Sequence, residues 1–119
     1  MHYAELSKAW DELIAPGSPF EIVENTIHGQ SLRCFKHAPA TIRDFWLSTA
    51  AFAGRTYLVY ENDRLTYAEA HAQVAAIAAW LDAKGVKLGD RVAIGMRNYP
   101  EWMLIYWACL CLGVAVVEI

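Results

Sequence analysis

The sequence lacks a glycine-rich phosphate loop. Its seven glycines stand apart at 17, 29, 54, 85, 89, 95 and 113, and none forms GxGxxG or GxxxxGKS/T, whose backbone N–H groups cradle nucleotide phosphates. Excess positive charge is missing too. Ten Lys and Arg against 13 Asp and Glu give a formal net charge of -3, which excludes the basic footprint of a nucleic-acid or anionic-membrane binder. Charged residues amount to only 19% and hydrophobic ones to 56%, more apolar than an ordinary soluble domain. The 119 residues suffice for one domain with a real core, but two independent domains would be a squeeze.

Cysteine is sparse. Cys34, Cys109 and Cys111 are odd in number and lie in apolar contexts. Cys109 and Cys111, two apart on a predicted helix, point to different faces and can neither pair nor clamp a metal. All three read as reduced core residues of a cytoplasmic protein. The first five residues lack a basic stretch before an apolar core, so they form no secretory signal. The longest uncharged apolar run, Trp102 to Val117, is interrupted by Gly113 and falls short of the roughly 18 to 20 residues that span a bilayer. No Ser-His-Asp or Cys-His set is legible, and no carboxylate pair marks a common face. Asp11, Glu12, Glu61 and Asp63 read as solvated. His28 and His37 read as solvent-facing strand-end residues, with no ligand-spaced partner beside them.

What is present is a sequence of well-punctuated elements. Tyr3, Leu6, Trp10, Leu13 and Ile14 recur at helical spacing until Ala15-Pro16-Gly17-Ser18-Pro19 stops the pattern. Residues 1–19 are therefore expected to be an amphipathic helix and linker docked on a body of residues 20–119. Phe20 to Ile27 and Leu32 to His37 flank His28-Gly29-Gln30-Ser31 as a hairpin. Thr41 caps the next helix, whose buried stripe is expected to be Ile42, Phe45, Trp46, Thr49 and Phe52, with Gly54 as its C-terminal cap. Tyr57 to Tyr60 turns through Glu61-Asn62-Asp63-Arg64 into Leu65 as a second hairpin. Thr66 and Glu69 form a capping box for a helix with Tyr67, Ala70, His71, Val74, Ile77, Ala78 and Leu81 on one face. His71 on that stripe reads as a hydrogen-bonded core or boundary histidine, since no nucleophile or acid is placed to use it.

The last third, Asp90 to Ile119, reads as strand, turn, apolar helix and strand, a βαβ unit. The first strand runs from Arg91 to Met96. Pro100 opens the helix, where its missing N–H costs nothing. From Trp102 to Leu112 every residue is apolar, so this helix wants burial on all sides. Leaving four of its large side chains in water would forfeit about 6 to 12 kcal/mol, comparable to the whole stability of a small domain. The polar turn Met96 to Pro100 occupies the usual ligand address of an open α/β sheet. Arg97 could meet an anion there, but Asn98 as a helix cap is the favoured reading.

Four ordered runs carry a resemblance. They are Tyr57-Leu58-Val59-Tyr60; Arg64-Leu65-Thr66-Tyr67-Ala68-Glu69; Gly85-Val86 followed by Gly89-Asp90-Arg91-Val92-Ala93-Ile94; and Arg97-Asn98 followed by Pro100-Glu101-Trp102. Together they resemble the N-terminal part of adenylate-forming acyl-CoA synthetases. Pro19-Phe20-Glu21 and the stretch Lys36 to Asp44 look most like the medium- and long-chain fatty-acid branch. The resemblance implies an α/β fold, an incomplete mixed sheet with flanking helices and the C-terminal βαβ unit. It also implies a two-step ligase, in which a carboxylate and ATP give an acyl-adenylate and pyrophosphate, and coenzyme A then displaces AMP. ATP, Mg2+ and coenzyme A are thus implied for a longer parent. The family's phosphate loop, Mg2+-binding Glu, ribose-binding Asp and adenylation Lys fall beyond Ile119, so no catalytic, cofactor-binding or metal residue is carried over to this chain.

The expectation is therefore an N-terminal fragment, inactive alone, ending inside a predicted strand. Its expected partner is the remainder of the parent chain, or a second copy held through Trp102 to Ile119. The alternative is a free-standing, self-associating or partner-binding α/β module without enzymatic activity.

Overall fold

The computed structural model describes residues 2–119. They divide into two compact units that part between Pro39 and Ala40, not after residue 19. The first unit holds α1 (Tyr3–Ile14), β1 (Ile22–Ile27) and β2 (Gln30–Phe35). Its boundary moves because the linker bonds onward to the hairpin: Gly17 donates to the Glu21 carboxylate at 2.9 Å, and Lys36 N–H donates to Glu21 C=O at 2.8 Å. β1 and β2 pair antiparallel from Ile22↔Phe35 to Ile27↔Gln30. Their turn is only His28-Gly29, at φ 50° and 80°, the double positive φ of a type I′ hairpin. No residue of α1 is buried. Tyr3, Leu6, Trp10 and Leu13 are all exposed, so the hairpin of the same unit does not bury that stripe.

The second unit holds α2 (Ile42–Ser48), a 3-10 turn (Thr49–Phe52), β3 (Thr56–Tyr60), β4 (Asp63–Thr66), α3 (Tyr67–Ala83), β5 (Arg91–Ile94), α4 (Pro100–Leu112) and β6 (Ala115–Glu118). The α/β character read from sequence is present, distributed over three two-stranded sheets. Two are antiparallel hairpins, and β5 and β6 form the parallel pair of the βαβ unit. β5 stops at Ile94, short of Met96. Ile94 pairs with Glu118, Ile119 N–H donates to Ile94 C=O, and beyond that no paired strand remains to extend the ladder.

α2 begins as expected, with the Thr41 hydroxyl accepting from Asp44 N–H at 3.0 Å. Its stripe and stop differ. Only Trp46 is buried in α2, while Ile42, Phe45 and Phe52 are exposed. The helix gives way at Thr49, not Gly54. Ser48 and Thr49 hydroxyls donate to the carbonyls of Phe45 and Trp46, each at 2.7 Å, side-chain bonds that compete with the helical ladder. The end of this segment then feeds α3: Arg55 and Ala53 carbonyls accept the N–H groups of Tyr67 and Ala68, satisfying donors that a helix start leaves open.

α3 matches its sequence reading closely. Thr66 accepts from Glu69 N–H, and the Glu69 carboxylate accepts from Thr66 N–H at 2.8 Å and from its hydroxyl at 2.7 Å. Those bonds hold the Glu69 carboxyl below its ordinary range, the backbone N–H first and the hydroxyl second. Ala70, Val74 and Leu81 are buried, and Tyr67, His71, Ile77 and Ala78 are half-buried. Their partners lie on α4, where Leu104, Ala108 and Cys109 are buried in the same cluster. From Trp102 to Leu112 no residue is fully exposed, but eight of the eleven are only half-buried, so the complete burial this helix wants is met on one side. Gly113 ends it at φ 72°, a left-handed cap that glycine takes without strain.

A bulge between Thr56 and Leu58 turns consecutive residues Tyr57 and Leu58 toward the core, which strict alternation would forbid. That departure is what brings Tyr57 to the aromatic cluster described below. For the α3 cap, Thr66→Ala is expected to lower stability by about 1 kcal/mol, while Thr66→Ser stays near native. Urea unfolding of the two variants checks this.

Candidate functional site

The turn after β5 was the one address for a ligand in the sequence. In the structure Tyr99, not Asn98, is the N-cap of α4, and it makes no side-chain capping bond. The cap is supplied by the backbone: Tyr99 C=O accepts from Trp102 N–H at 3.0 Å. Asn98 instead lines a cleft of about 240 Å³ with Leu58, Tyr60, Tyr99, Trp102 and Met103. Tyr60 and Tyr99 meet edge to face there at 5.6 Å. Arg97 is exposed and lines none of the clefts at this end.

An adjoining cleft of about 310 Å³ carries Asp63, Arg64, Gln73 and Glu101. Arg64 is partly spent on the carbonyls of Glu61 and Asp63, at 3.0 and 2.9 Å. The start of α4 is also a poor phosphate seat. Pro100 removes one N–H from its first turn, and Glu101 places a negative charge there, whereas an anion site needs free N–H groups and no competing acid.

The more elaborate arrangement lies in the core. Trp46, only 2% exposed, stacks on His71 at 4.3 Å and on Trp107 at 4.8 Å, and meets Tyr57 edge to face at 5.5 Å. Trp107 Nε1–H donates to the Tyr57 hydroxyl at 2.6 Å. Burial pushes the Tyr57 phenol up, and the Trp107 bond partly offsets this. His71 Nε2 lies 2.9 Å from Thr49 Oγ1. The single Thr49 hydroxyl proton already goes to Trp46 C=O, so Nε2 must carry the hydrogen and donate. His71 is thus the hydrogen-bonded boundary residue read from sequence. Burial lowers its pKa, favouring the neutral ring.

The other singled-out residues divide similarly. Cys109 is fully buried and Cys111 half-buried, and all three cysteines are free. Burial raises the thiols of Cys109 and Cys111, and the Arg43 charge partly opposes it at Cys111. His28 and His37 are exposed. Sequence spacing did not disclose that Glu21, 7% exposed, lies 4.0 Å from His37 Nε2. Glu21 also takes two 3.0 Å contacts from Lys36 Nζ. Gly17 N–H first, then Lys36, holds its carboxyl below the usual range. No pattern of short spacing announces this group, because Lys36 reaches it only across the hairpin. Among the described residues, no three His, Cys, Asp or Glu side chains cluster as metal ligands. Only Gly113 has any atom where a Cβ would need room, so the glycines form no tight cradle.

The parallel pair of β5 and β6 joined through α4 defines an α/β protein, and its relatives say of which family. Residues 45–119 match the AMP-binding enzyme family, and the chain belongs to that family. It is 33% identical over 82 residues to the medium-chain fatty-acid–CoA ligase of Escherichia coli K12, covering 67% of this chain and 14% of that protein. An acetyl-coenzyme A synthetase of Parvibaculum lavamentivorans is 39% identical over 67 residues, 51% of this chain and 10% of that protein. Among solved structures, the artificially fused adenylation–PCP di-domain NpsA-ThdA of Klebsiella oxytoca superposes with a TM-score of 0.65. It has 28% identity over 66% of this chain and 15% of its own. The chain therefore spans about a seventh of the length of that E. coli ligase.

His71 gives a pH test. Its folded pKa lies below 6.5, so its contribution to stability is full above the unfolded value and is lost as pH falls through the folded one. The thermal midpoint is expected to drop between about pH 7 and pH 5, and to drop less in His71→Gln. Differential scanning fluorimetry across that range would count against this if both proteins had the same slope.

Proposed function

We propose that this chain is the structural opening of the large domain of an ATP-dependent fatty-acid CoA ligase, and that it does not catalyse the reaction alone. The observation carrying the reading is the family match over residues 45–119 joined to the longer alignment with a medium-chain fatty-acid–CoA ligase than with an acetyl-coenzyme A synthetase. In the parent, a fatty-acid carboxylate attacks ATP to give acyl-adenylate and pyrophosphate. Coenzyme A then forms the thioester and releases AMP. The seven glycines form no GxGxxG or GxxxxGKS/T run, which supports assigning ATP and Mg2+ to other residues of the parent. The part of this chain is to fold the βαβ unit and its covering helices.

The free thiols favour a reducing compartment, and we assign the parent to the cytoplasm. No helix among the described residues is long and apolar enough to cross a membrane. Pyrophosphate exchange with medium- and long-chain fatty acids is expected to show no turnover by the 119-residue chain. Exchange above background would overturn the inactive reading. The coding sequence past Ile119 tests the parent: an in-frame Thr/Ser/Gly-rich loop followed by Pro-Lys-Gly supports the ligase, and an immediate stop supports a free-standing module.

One observation favours the second copy as an occupant when the parent's remainder is absent. β5 and β6 form a two-stranded parallel sheet, and Val117 within it and Ile119 just after it are exposed, Ile119 at 85%. Parallel pairs with bare apolar residues and open edges invite pairing. Sedimentation of the 119-residue chain should show self-association, and Val117→Lys should reduce it. An ordered monomer at high concentration would refute this.

A further inference from the structure

The first unit leaves its apolar residues open. Every buried apolar side chain among the described residues lies in the second unit, and the side chain the first unit buries is Glu21. A unit of fewer than about 40 residues usually needs a disulfide, a metal or an association to hold it. Its cysteine, Cys34, is free, and no three His, Cys, Asp or Glu side chains cluster among the described residues, so association is the remaining route. α1 carries the longest open face. Tyr3, Leu6, Trp10 and Leu13 are from 49% to 87% exposed. The steps between them are 3, 4 and 3 residues, the seam spacing of paired helices and narrower than the stripe of a helix laid on a sheet. Ser7, Ala9 and Ile14, which flank the seam, carry no charge. The charges stand on the far side and are satisfied within the helix: the Glu5 carboxylate accepts from His2 N–H at 3.0 Å, and Lys8 pairs with Glu12 at 3.9 Å. At the other end the Ser18 hydroxyl donates to Leu13 C=O.

We infer that α1 is a self-pairing surface, and that its occupant is α1 of a second copy of this chain laid antiparallel. Turned about Lys8, the seam matches itself: Tyr3 meets Leu13 of the second copy, Leu6 meets its Trp10, and the same contacts recur in reverse, as a two-fold interface requires. Each aromatic ring thus faces a leucine, whereas a parallel pair would set ring on ring and leucine on leucine in alternate layers. Antiparallel helices also bring opposite dipole ends together. The far side carries Glu5, Asp11 and Glu12 against Lys8 alone, which disfavours an anionic membrane as the occupant, since such a surface selects a Lys- and Arg-rich polar face. The seam runs only about 15 Å from Tyr3 to Leu13, so the pair is weak and transient. The inference does not rest on the ligase reading, and it uses different residues from the β5 and β6 contact.

The test is sedimentation equilibrium of the 119-residue chain carrying Val117→Lys, which blunts the strand contact, from about 10 μM to about 1 mM. A reversible dimer is expected. Adding Leu6→Glu should weaken it about tenfold or more, and adding Lys8→Gln, on the far side, should change it little. Isotope-filtered NOE spectroscopy on an equal mixture of labelled and unlabelled Val117→Lys chain, with the seam intact, should show the Tyr3 ring against the Leu13 methyls of the other copy. A monomer throughout that range, equal association with and without Leu6→Glu, or Tyr3 against Tyr3 as the contact between copies would each overturn the pairing. So would shielding of the seam that dilution does not change, which would give the face to another part of the same chain.

Discussion

The close packing of α3 on α4 is the constraint on which the second unit depends. Ala70 and Ala108 are both 0% exposed within one cluster. Small side chains at such positions let helix backbones approach, and the larger Val74, Leu81 and Leu104 fill the space around them. Trp46 joins the same cluster from α2, and Val114 joins it just before β6. The bulge in β3 extends the arrangement by adding both Tyr57 and Leu58. Enlarging either alanine would force the helices apart, and overpacking of this kind typically costs about 1 to 3 kcal/mol.

Polar chemistry is used here to hold shape. Glu69 fastens the start of α3, Thr49 links α2 to His71, and Trp107 fixes the Tyr57 hydroxyl. Glu21 does similar work in the first unit, gathering Gly17 and Lys36 around one buried carboxylate. Their hydrogen bonds are satisfied internally: among the described residues no buried side-chain nitrogen or oxygen lacks a partner.

Membership of the AMP-binding enzyme family and the apolar character of α4 bear on one another. The helix is buried along one side and half-covered elsewhere, and its parallel strands have a bare face. The packing demand of residues 102–112 is met on one side by α3, where Ala70, Val74 and Leu81 are buried with Leu104, Ala108 and Cys109.

Local chemistry was enough to read much of this from the amino acids. The α3 face, its Thr66–Glu69 box, the presence of both hairpins and the βαβ order rest on period, caps and turn residues that act within a few positions, whereas the two-residue turns that set the hairpin registers were not read. His71 was read as a bonded boundary residue because it lay on an apolar stripe without a chemical partner. The misjudged features depend on distant neighbours. Ile42, Phe45 and Phe52 follow a helical period, but only a packed partner buries a face, and Phe45 against Trp107 and Phe52 against Tyr67 are covered only in part. Asn98 lost the cap to the Tyr99 backbone because the path from β5 into Pro100 sets where the helix starts. The Glu21 pairing joins residues far apart in sequence, so tertiary structure alone brought them together. The sequence determined which segments could become helix or strand, through local geometry and hydrophobic spacing. Which side chains became buried, paired or left facing a cleft was decided by long-range packing, where proximity no longer follows position in the chain.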